Sequence, residues 1–324
     1  MSAGAATRRR GTQSRRTKMA TIAWIGLGNM GGAMTARLVA AGHRVLGVDL
    51  NPAARAAAAA AGVTVVETVA EAVAEADAVF TMLPKGEHVR AVYEGADGIW
   101  ANAPQDALLA DSSTVDIDTS RHCHETSQSL GFRFVDAPVS GGVAGASAGT
   151  LTFMLGGSSE DIDAAAAFIT PMSGNIITAG GPTAGIAAKL ANNMMLFISL
   201  LAAAEGSQLA AGLGLDPKTF WEIARVSSAD SWAMRTWYPV PGIVPSAAAN
   251  QNFDATFQTL LARKDVALAV DAGTRNDLSL PAAQLALAQF DRLIEEGLGE
   301  KDCSLIVKLV SADGAVDGYD AAVD

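Results

Sequence analysis

Residues 25–34 read IGLGNMGGAM, and this stretch decides the fold because it joins two different structural patterns. Before it, residues 21–25 form a short apolar, β-branched run, which predicts a strand. After it, apolar residues at helical spacing predict a helix that ends at Gly42. A second strand is predicted over residues 44–48, and Asp49 follows it directly. Strand, glycine turn, helix, strand and acid in this order indicate a dinucleotide-binding βαβ unit.

Each part of this unit has a predicted role. Gly26 permits a tight turn, Gly28 lets a pyrophosphate approach the backbone, and Gly31 lets the helix pack closely on the strand. The helix N-terminus favours phosphate groups. Asp49 follows Gly31 by 18 positions, the spacing of an acid that holds a ribose 2′-hydroxyl. We therefore expect cofactor contacts from Gly26, Leu27, Gly28, Asn29, Met30, Gly31 and Asp49.

The same acid bears on the choice between NAD and NADP. A carboxylate at Asp49 would repel the 2′-phosphate of NADP, and no arginine follows it at once. Arg55 is the nearest arginine, more than one helical turn further on. The sequence therefore favours NAD as the cofactor.

Composition limits the class of protein. The chain has 324 residues, half of them hydrophobic, which is enough for two cores. The net charge of −11 argues against general nucleic-acid binding. No apolar run looks long enough to cross a membrane, since Glu205 interrupts the best one. Two cysteines make no disulfide framework, which indicates a reducing cytoplasm. Residues 1–19, with six basic side chains and no acid, predict a disordered basic tail.

The α/β alternation continues to residue 181 and then gives way to helical patterns alone. Further strands are predicted over 63–66, 78–82, 108–110 and 132–135, and C-terminal helices over 184–213, 217–228, 254–274, 281–297 and 302–311. The fold class is therefore α/β. A Rossmann-type doubly wound sheet over residues 20–181 is followed by an all-α domain over residues 182–324. A small-molecule site is expected between the two.

Three loops are candidates for that site. Leu83-Pro84 and the segment that ends at Thr114 each follow a predicted strand, at the edge where open α/β sheets bind ligands. Residues 136–152 are rich in glycine, and their free N–H groups could hold a carboxylate with help from Ser140. The alternative for all three is ordinary turn, cap or flexible-loop chemistry.

Residues 181–193 read GPTAGIAAKLANN and supply a candidate for acid/base chemistry. Gly185, Lys189 and Asn193 lie four apart, so a helix would place them on one face. The glycine would let another backbone come close, and the amide could orient a polar ligand. Apolar neighbours would desolvate Lys189, which makes a lysine a better proton carrier near neutral pH. The alternative is a surface lysine on an amphipathic helix.

Four motifs together resemble the β-hydroxyacid dehydrogenase family over residues 20–310. They are IGLGNMGGAM at 25–34, DAPVSGG with GTLTFMLGG within 136–157, GIAAKLANN at 185–193, and KD at 264–265. The resemblance implies that Lys189 is the catalytic residue. It further implies that the substrate is bound by Ser140, Gly141, Gly142 and Asn193, and that the cofactor is also contacted by Leu83, Pro84, Thr114 and Lys264.

Residues 232–242, WAMRTWYPVPG, resemble the subgroup of that family that acts on 3-hydroxyisobutyrate. The resemblance implies NAD-dependent oxidation of this acid to methylmalonate semialdehyde, a step of valine degradation, by a cytoplasmic homodimer or homotetramer. Two positions depart from the family pattern. Asp116 stands where a proline is frequent, and His88 stands where an asparagine is frequent.

Several alternatives stay open. A relative could act on tartronate semialdehyde or 4-hydroxybutyrate instead. A non-catalytic dinucleotide-binding protein or an imine reductase would be expected to have lost the lysine at position 189. The cluster His122-Cys123-His124 could suggest a metal, but neighbouring helical residues point to different faces and no carboxylates support it. We therefore expect no metal.

Overall fold

The computed structural model describes residues 19–321, so the basic tail predicted over residues 1–19 lies outside it except for Met19. One nine-stranded sheet forms the N-terminal half. The strands are β1 Thr21–Ile25, β2 Arg44–Val48, β3 Thr64–Val65, β4 Ala78–Thr81, β5 Leu108–Asp111, β6 Arg133–Asp136, β7 Val139–Ser140, β8 Leu151–Gly156 and β9 Ser173–Gly180. Their order in the sheet is β3-β2-β1-β4-β5-β6-β8-β7, with β9 also paired to β8. Strands β1 to β6 are parallel, and their order is that of a Rossmann sheet.

Eight helices cover the two faces of this sheet. They are α1 Asn29–Ala40, α2 Pro52–Ala60, α3 Val69–Val73, α4 Gly86–Tyr93, α5 Ile99–Asn102, α6 Ile117–Ser129, α7 Gly142–Ala148 and α8 Ser159–Ile169. Each face has its own apolar core. Met34 of α1 and Ile162 of α8 lie in one core, and Val89 of α4 and Cys123 of α6 lie in the other. The predicted Rossmann-type domain is therefore confirmed.

The C-terminal half is helical, as predicted. Its elements are α9 Ala184–Gly212, α10 Pro217–Ala224, α11 Trp232–Thr236, α12 Thr259–Arg275, α13 Pro281–Glu295 and two 3-10 helices, over Ala248–Asn250 and Cys303–Leu309. Three predicted helices differ. The helix predicted over residues 217–228 ends at Ala224. The segment before Thr259 is a loop, because the Asp302 carboxylate accepts the backbone N–H groups of Thr256 and Phe257. Residues 302–311 form a 3-10 helix instead of an α-helix.

The expectation that no segment is long and apolar enough to cross a membrane is wrong for α9. This helix has 29 residues and passes that test by length and composition alone. In the structure it is a core helix, whose side chains Phe197, Leu200 and Ala204 are buried against α12 and α13. The far end of α9 and α10 leave Leu209, Leu213 and Ile223 exposed. The expected homodimer or homotetramer stays a prediction.

Helix α9 is joined to the sheet by a carboxylate that comes from β6. Its own N-cap residue, Thr183, has a left-handed backbone (φ 69°) and makes no side-chain cap, and the first turn holds no acid. Asp136 supplies the missing cap. Its carboxylate accepts the N–H of Ile186 at 2.7 Å and of Thr183 at 3.1 Å. A negative charge there satisfies free N–H groups and complements the helix dipole.

His124 and Gly185 also contribute to the contact between the sheet and α9. His124 Nε2 lies 2.6 Å from Asp136 Oδ1, and both side chains are buried. Gly185 has no room for a side chain, because a Cβ would lie 2.4 Å from the carbonyl oxygen of Met154. The close backbone approach predicted at Gly185 is therefore confirmed, and the partner is strand β8.

We predict that Asp136→Ala lowers the free energy of unfolding by about 3 to 5 kcal/mol, because it leaves His124 and two backbone N–H groups buried without their partner. Asp216→Ala is the matched control, since Asp216 caps α10 at an exposed site through Thr219 and should cost only about 1 kcal/mol. Urea denaturation measures both. Equal losses in the two variants would contradict the special role of Asp136.

Candidate active site

The glycine turn after β1 fits a dinucleotide. Gly26 has a φ of +100°, and a Cβ on Gly31 would lie 1.9 Å from the Gly26 carbonyl oxygen, so both positions require glycine. A Cβ on Gly28 would meet no protein atom within 4 Å, and the first turn of α1 has no side-chain cap and no acid. The space in front of α1 is therefore open to a phosphate group, with free N–H groups behind it.

Asp49 is held beside this turn. Its carboxylate accepts the N–H of Leu27 at 2.6 Å and the N–H of Asn51 at 2.7 Å. The second strand thus presents a fixed negative charge next to the glycine turn. This is the position expected for an acid that recognises a ribose.

The two strand-end loops are bonded to each other. Leu83 N–H donates to Ser113 Oγ at 2.9 Å, which joins the loop after β4 to the loop after β5. Beneath them, Asp111 accepts hydrogen bonds from Thr81 Oγ1 and Ser113 N–H, and burial raises the pKa of its carboxyl group. Asp116 caps α6 through Thr119, which explains why an acid can replace the proline frequent at this position.

A cleft of about 270 Å³ lies between these loops and α12. Lys264 reaches across it from the helical half and donates to the carbonyl oxygen of Thr114 at 2.6 Å. The cleft is lined by Lys85, Gly86, Glu87, Thr114, Val115, Asp116, Lys264 and Leu268. A larger cavity of about 410 Å³ lies at the opposite edge of the sheet, around Asp77 and Asp106, and none of the predicted site residues lines it.

Lys189 is buried on α9, with 7% of its surface exposed. Loss of hydration lowers its pKa from 10.5 to about 8, Asp265 raises it in part, and Lys264 lowers it. Among the residues that the structure describes, no side chain forms a hydrogen bond or ion pair with its Nζ. The surface-lysine alternative is therefore wrong. A desolvated amine without a fixed partner is suited to exchange a proton with a ligand.

Asp265 connects the site residues of the two helices. Its Oδ2 accepts the Nδ2 amide of Asn193 at 2.6 Å, and its Oδ1 lies 3.1 Å from Lys264 Nζ. Asp265 and Asn193 are both almost fully buried. One carboxylate thus fixes the Asn193 amide, holds Lys264 near Thr114 and faces the charge of Lys189. Of this pair, only Lys264 was predicted as a site residue.

The glycine-rich segment over residues 136–152, predicted to hold a carboxylate, is only partly a loop. Ser140 ends β7, Gly141 turns the chain with a φ of +131°, and residues 142–148 form helix α7. No hydrogen bond joins Ser140, Gly141 or Gly142 to Lys189 within residues 19–321. Their connection to α9 runs through Asp136, four residues earlier in the same motif. The roles of these residues stay predictions.

The segment over residues 232–242, which is rich in aromatic side chains, packs into the helical core. Trp237 and Tyr238 are buried. The Trp237 ring stacks on Phe197 of α9, and its centroid lies 4.7 Å from the centroid of the Trp232 ring. The segment is therefore fixed in place. His122 and His124 turn to separate partners, Glu94 and Asp136. Among residues 19–321 no group of three histidine, cysteine or acidic side chains is close enough to hold a metal ion.

Comparison with known proteins agrees with this geometry. Residues 21–181 match the model of the NAD binding domain of 6-phosphogluconate dehydrogenase, and residues 183–310 match the model described as NAD-binding of NADP-dependent 3-hydroxyisobutyrate dehydrogenase. A probable 3-hydroxyisobutyrate dehydrogenase of Mycobacterium tuberculosis is 45% identical over 263 residues, which are 81% of this chain and 88% of that protein. The chain belongs to the β-hydroxyacid dehydrogenase family.

Two further relatives bear on the substrate. The NAD-dependent L-serine dehydrogenase of Pseudomonas aeruginosa is 38% identical over 291 residues, 90% of this chain and 98% of that protein. A solved structure of Mycobacterium tuberculosis 3-hydroxyisobutyrate dehydrogenase with L-serine has a TM-score of 0.83 and 42% identity, and it covers 91% of this chain and 100% of that chain. This oxidoreductase thus has an NAD(P)-binding domain and relatives with two different substrate names.

We predict that Lys189→Met stabilises the ligand-free protein by about 3 kcal/mol at pH 7, because it removes a charge that is costly to bury. The folded pKa is about 8 and the unfolded pKa 10.5, so the unfolded chain binds this proton more readily between those values. The free energy of unfolding of the wild type, measured relative to that of the variant, therefore rises from pH 8 to 10.5. The difference between the two proteins disappears at the upper end of this range.

Urea denaturation of both proteins at pH 7 and pH 10.5 measures this difference. Lys218→Met, at an exposed lysine of α10, is the control and should show no comparable gain. The same stability of wild type and Lys189→Met at pH 7 would mean that Lys189 carries no desolvation penalty.

Proposed function

We propose that this oxidoreductase catalyses the NAD-dependent oxidation of 3-hydroxyisobutyrate to methylmalonate semialdehyde, with Lys189 as the acid/base. The observation that carries the proposal is the buried Lys189, whose Nζ has no side-chain partner among residues 19–321 and whose pKa is lowered to about 8. It lies one helical turn from Asn193 on the same face of α9. A proton carrier is most effective when its pKa is near the working pH.

The residues of the chain divide the work of the reaction. Neutral Lys189 accepts the proton of the substrate 3-hydroxyl group during oxidation and returns it during reduction. The Asn193 amide, fixed by Asp265, orients the substrate beside Lys189. Ser140 and the N–H groups of Gly141 and Gly142 hold the substrate carboxylate. When a dinucleotide is bound with its phosphates at the glycine turn, its nicotinamide would supply the hydride acceptor.

Asp49 supports NAD as the cofactor. Its carboxylate is fixed by two backbone N–H groups beside the glycine turn, so it cannot easily turn away from a ribose bound there. A ribose 2′-hydroxyl can donate to this carboxylate, whereas the 2′-phosphate of NADP would be repelled. One of the matching family models carries NADP in its description, so the choice is a property to be measured in this chain.

L-serine is the second candidate substrate, because it appears in the names of two relatives. Both acids carry a hydroxyl group on C3, and they differ at C2, which bears a methyl group in 3-hydroxyisobutyrate and an ammonium group in L-serine. Before Lys189 loses its proton, it and Lys264 place two cationic groups in this part of the molecule, against the one carboxylate of Asp265. This balance favours the uncharged methyl group. Tartronate semialdehyde and 4-hydroxybutyrate are the other short acids to compare.

Initial rates with these four substrates test the proposal through the absorbance of the reduced cofactor. The three hydroxy acids are assayed with NAD or NADP, and tartronate semialdehyde is assayed with NADH or NADPH. We expect kcat/KM for 3-hydroxyisobutyrate with NAD to exceed that for L-serine by at least about tenfold. The reverse order would reassign the substrate to L-serine.

Lys189→Ala should lower kcat by roughly 100- to 10,000-fold, because it removes proton transfer. The affinity for NAD should change by no more than about twofold, since Lys189 is not part of the glycine turn. Lys218→Ala, at the exposed lysine, should keep wild-type rates. Undiminished turnover in Lys189→Ala would reject Lys189 as the acid/base.

A further inference from the structure

The neighbouring strands β2 and β3 are each followed by an acid, Asp49 after β2 and Glu67 after β3. Strands β2 and β3 are parallel, with Leu46 opposite Thr64 and Gly47 opposite Val65. The N–H of Val66 continues this pairing by donating to the Gly47 carbonyl oxygen at 3.0 Å. Asp49 and Glu67 each lie two residues beyond the last paired residues, Gly47 and Val65, at the carboxyl ends of these neighbouring strands. Two carboxylates therefore stand at the carboxyl edge, where the ribose is expected.

Glu67 is also fixed in place. Its backbone N–H donates to Glu71 Oε2 at 3.0 Å, and Thr68 and Glu71 form a capping box at the start of α3. The side chain of Glu67 is mostly exposed, so its charge faces the solvent in front of the sheet edge. The position of this charge follows from the local fold and does not depend on a ligand.

Arg55 is the cation that a 2′-phosphate would need. It lies in α2, and its backbone N–H bonds to the carbonyl oxygen of Asn51, whose own N–H bonds to Asp49. Its guanidinium group does not point freely into solvent. Nη2 of Arg55 is bonded to Oε1 of Glu67 as an ion pair. The first arginine after Asp49 in the sequence is thus engaged by Glu67.

We propose that Glu67 is a specificity-determining residue for the cofactor, because it holds Arg55 in an ion pair and withholds that guanidinium group from the 2′-phosphate of NADP. The inference rests on the proposed use of the glycine turn and Asp49 for a dinucleotide. Asp49 repels the phosphate directly, and Glu67 removes the group that could compensate. Arginine is the residue best suited to bind a phosphate with two parallel hydrogen bonds. An exposed ion pair is weak, so the contribution of Glu67 is a change of severalfold.

The test is the affinity for NADPH and NADH, measured from the fluorescence of the reduced nicotinamide as protein is added. Glu67→Gln keeps the size of the side chain and removes its charge. It should tighten NADPH binding by about fivefold and raise the ratio of NADPH to NADH affinity by a similar factor. In the double variant Arg55→Ala with Glu67→Gln this gain should be lost, because the released guanidinium group is then missing.

The chain offers a matched control at the other end of β2. Arg44 and Glu75 form an exposed ion pair with 3.3 Å between Nη1 and Oε2, at the edge away from the glycine turn. Glu75→Gln changes the net charge equally and should leave both affinities unchanged. An equal gain in Glu75→Gln would show that only net charge matters.

Two results would overturn the inference. The first is unchanged NADPH affinity in Glu67→Gln. The second is a gain that persists in the double variant, which would mean that the charge of Glu67 acts without Arg55. Neither measurement needs turnover. A wild-type protein that binds NADH but oxidises no hydroxy acid would reject the proposed function and leave this inference standing.

Discussion

The buried Asp136 carboxylate accepts hydrogen bonds from both halves of the molecule, and the position of α9 depends on it. It binds His124 on the sheet side and the first N–H groups of α9 on the helical side. Because Gly185 has no side chain, the helix also lies directly on the backbone of β8. Lys189 follows within one turn of Ile186. The carboxylate that docks the helix therefore also sets where the amine stands relative to the nucleotide-binding sheet.

A second carboxylate sets the electrostatic state of that amine. Burial favours neutral Lys189, and the nearby charge of Lys264 acts in the same direction, whereas Asp265 favours the protonated form. Asp265 is also bonded to Asn193 and paired with Lys264, which in turn reaches Thr114 at the sheet edge. The contact across the cleft and the pKa of Lys189 are thus controlled by the same few side chains. A lysine in this balance can gain or lose a proton near neutral pH without large cost.

Local signals in the sequence predicted most of the fold and a set of candidate residues. Strands β1 and β2 were predicted to the residue, because glycine, β-branched and apolar positions are dense there. Contacts between distant residues were not predictable in this way. Asp136 meets Ile186 across 50 positions, and Asn193 meets Asp265 across 72 positions. Helix α7 was missed because its glycines favour a loop in isolation, and packing against α1 overrides that preference.

The desolvation of Lys189 is tested most directly by measuring its pKa. This can be done by NMR titration of the Cε signal in protein labelled with ¹³C-lysine. Lys189→Met identifies the signal by removing it. We expect a pKa of about 8 for Lys189 in the ligand-free protein. We expect a lower pKa in Asp265→Asn, because the carboxylate that favours the charged form is then absent. A Lys189 signal that titrates at 10.5, the ordinary value for lysine, would contradict a desolvated amine and with it the central claim.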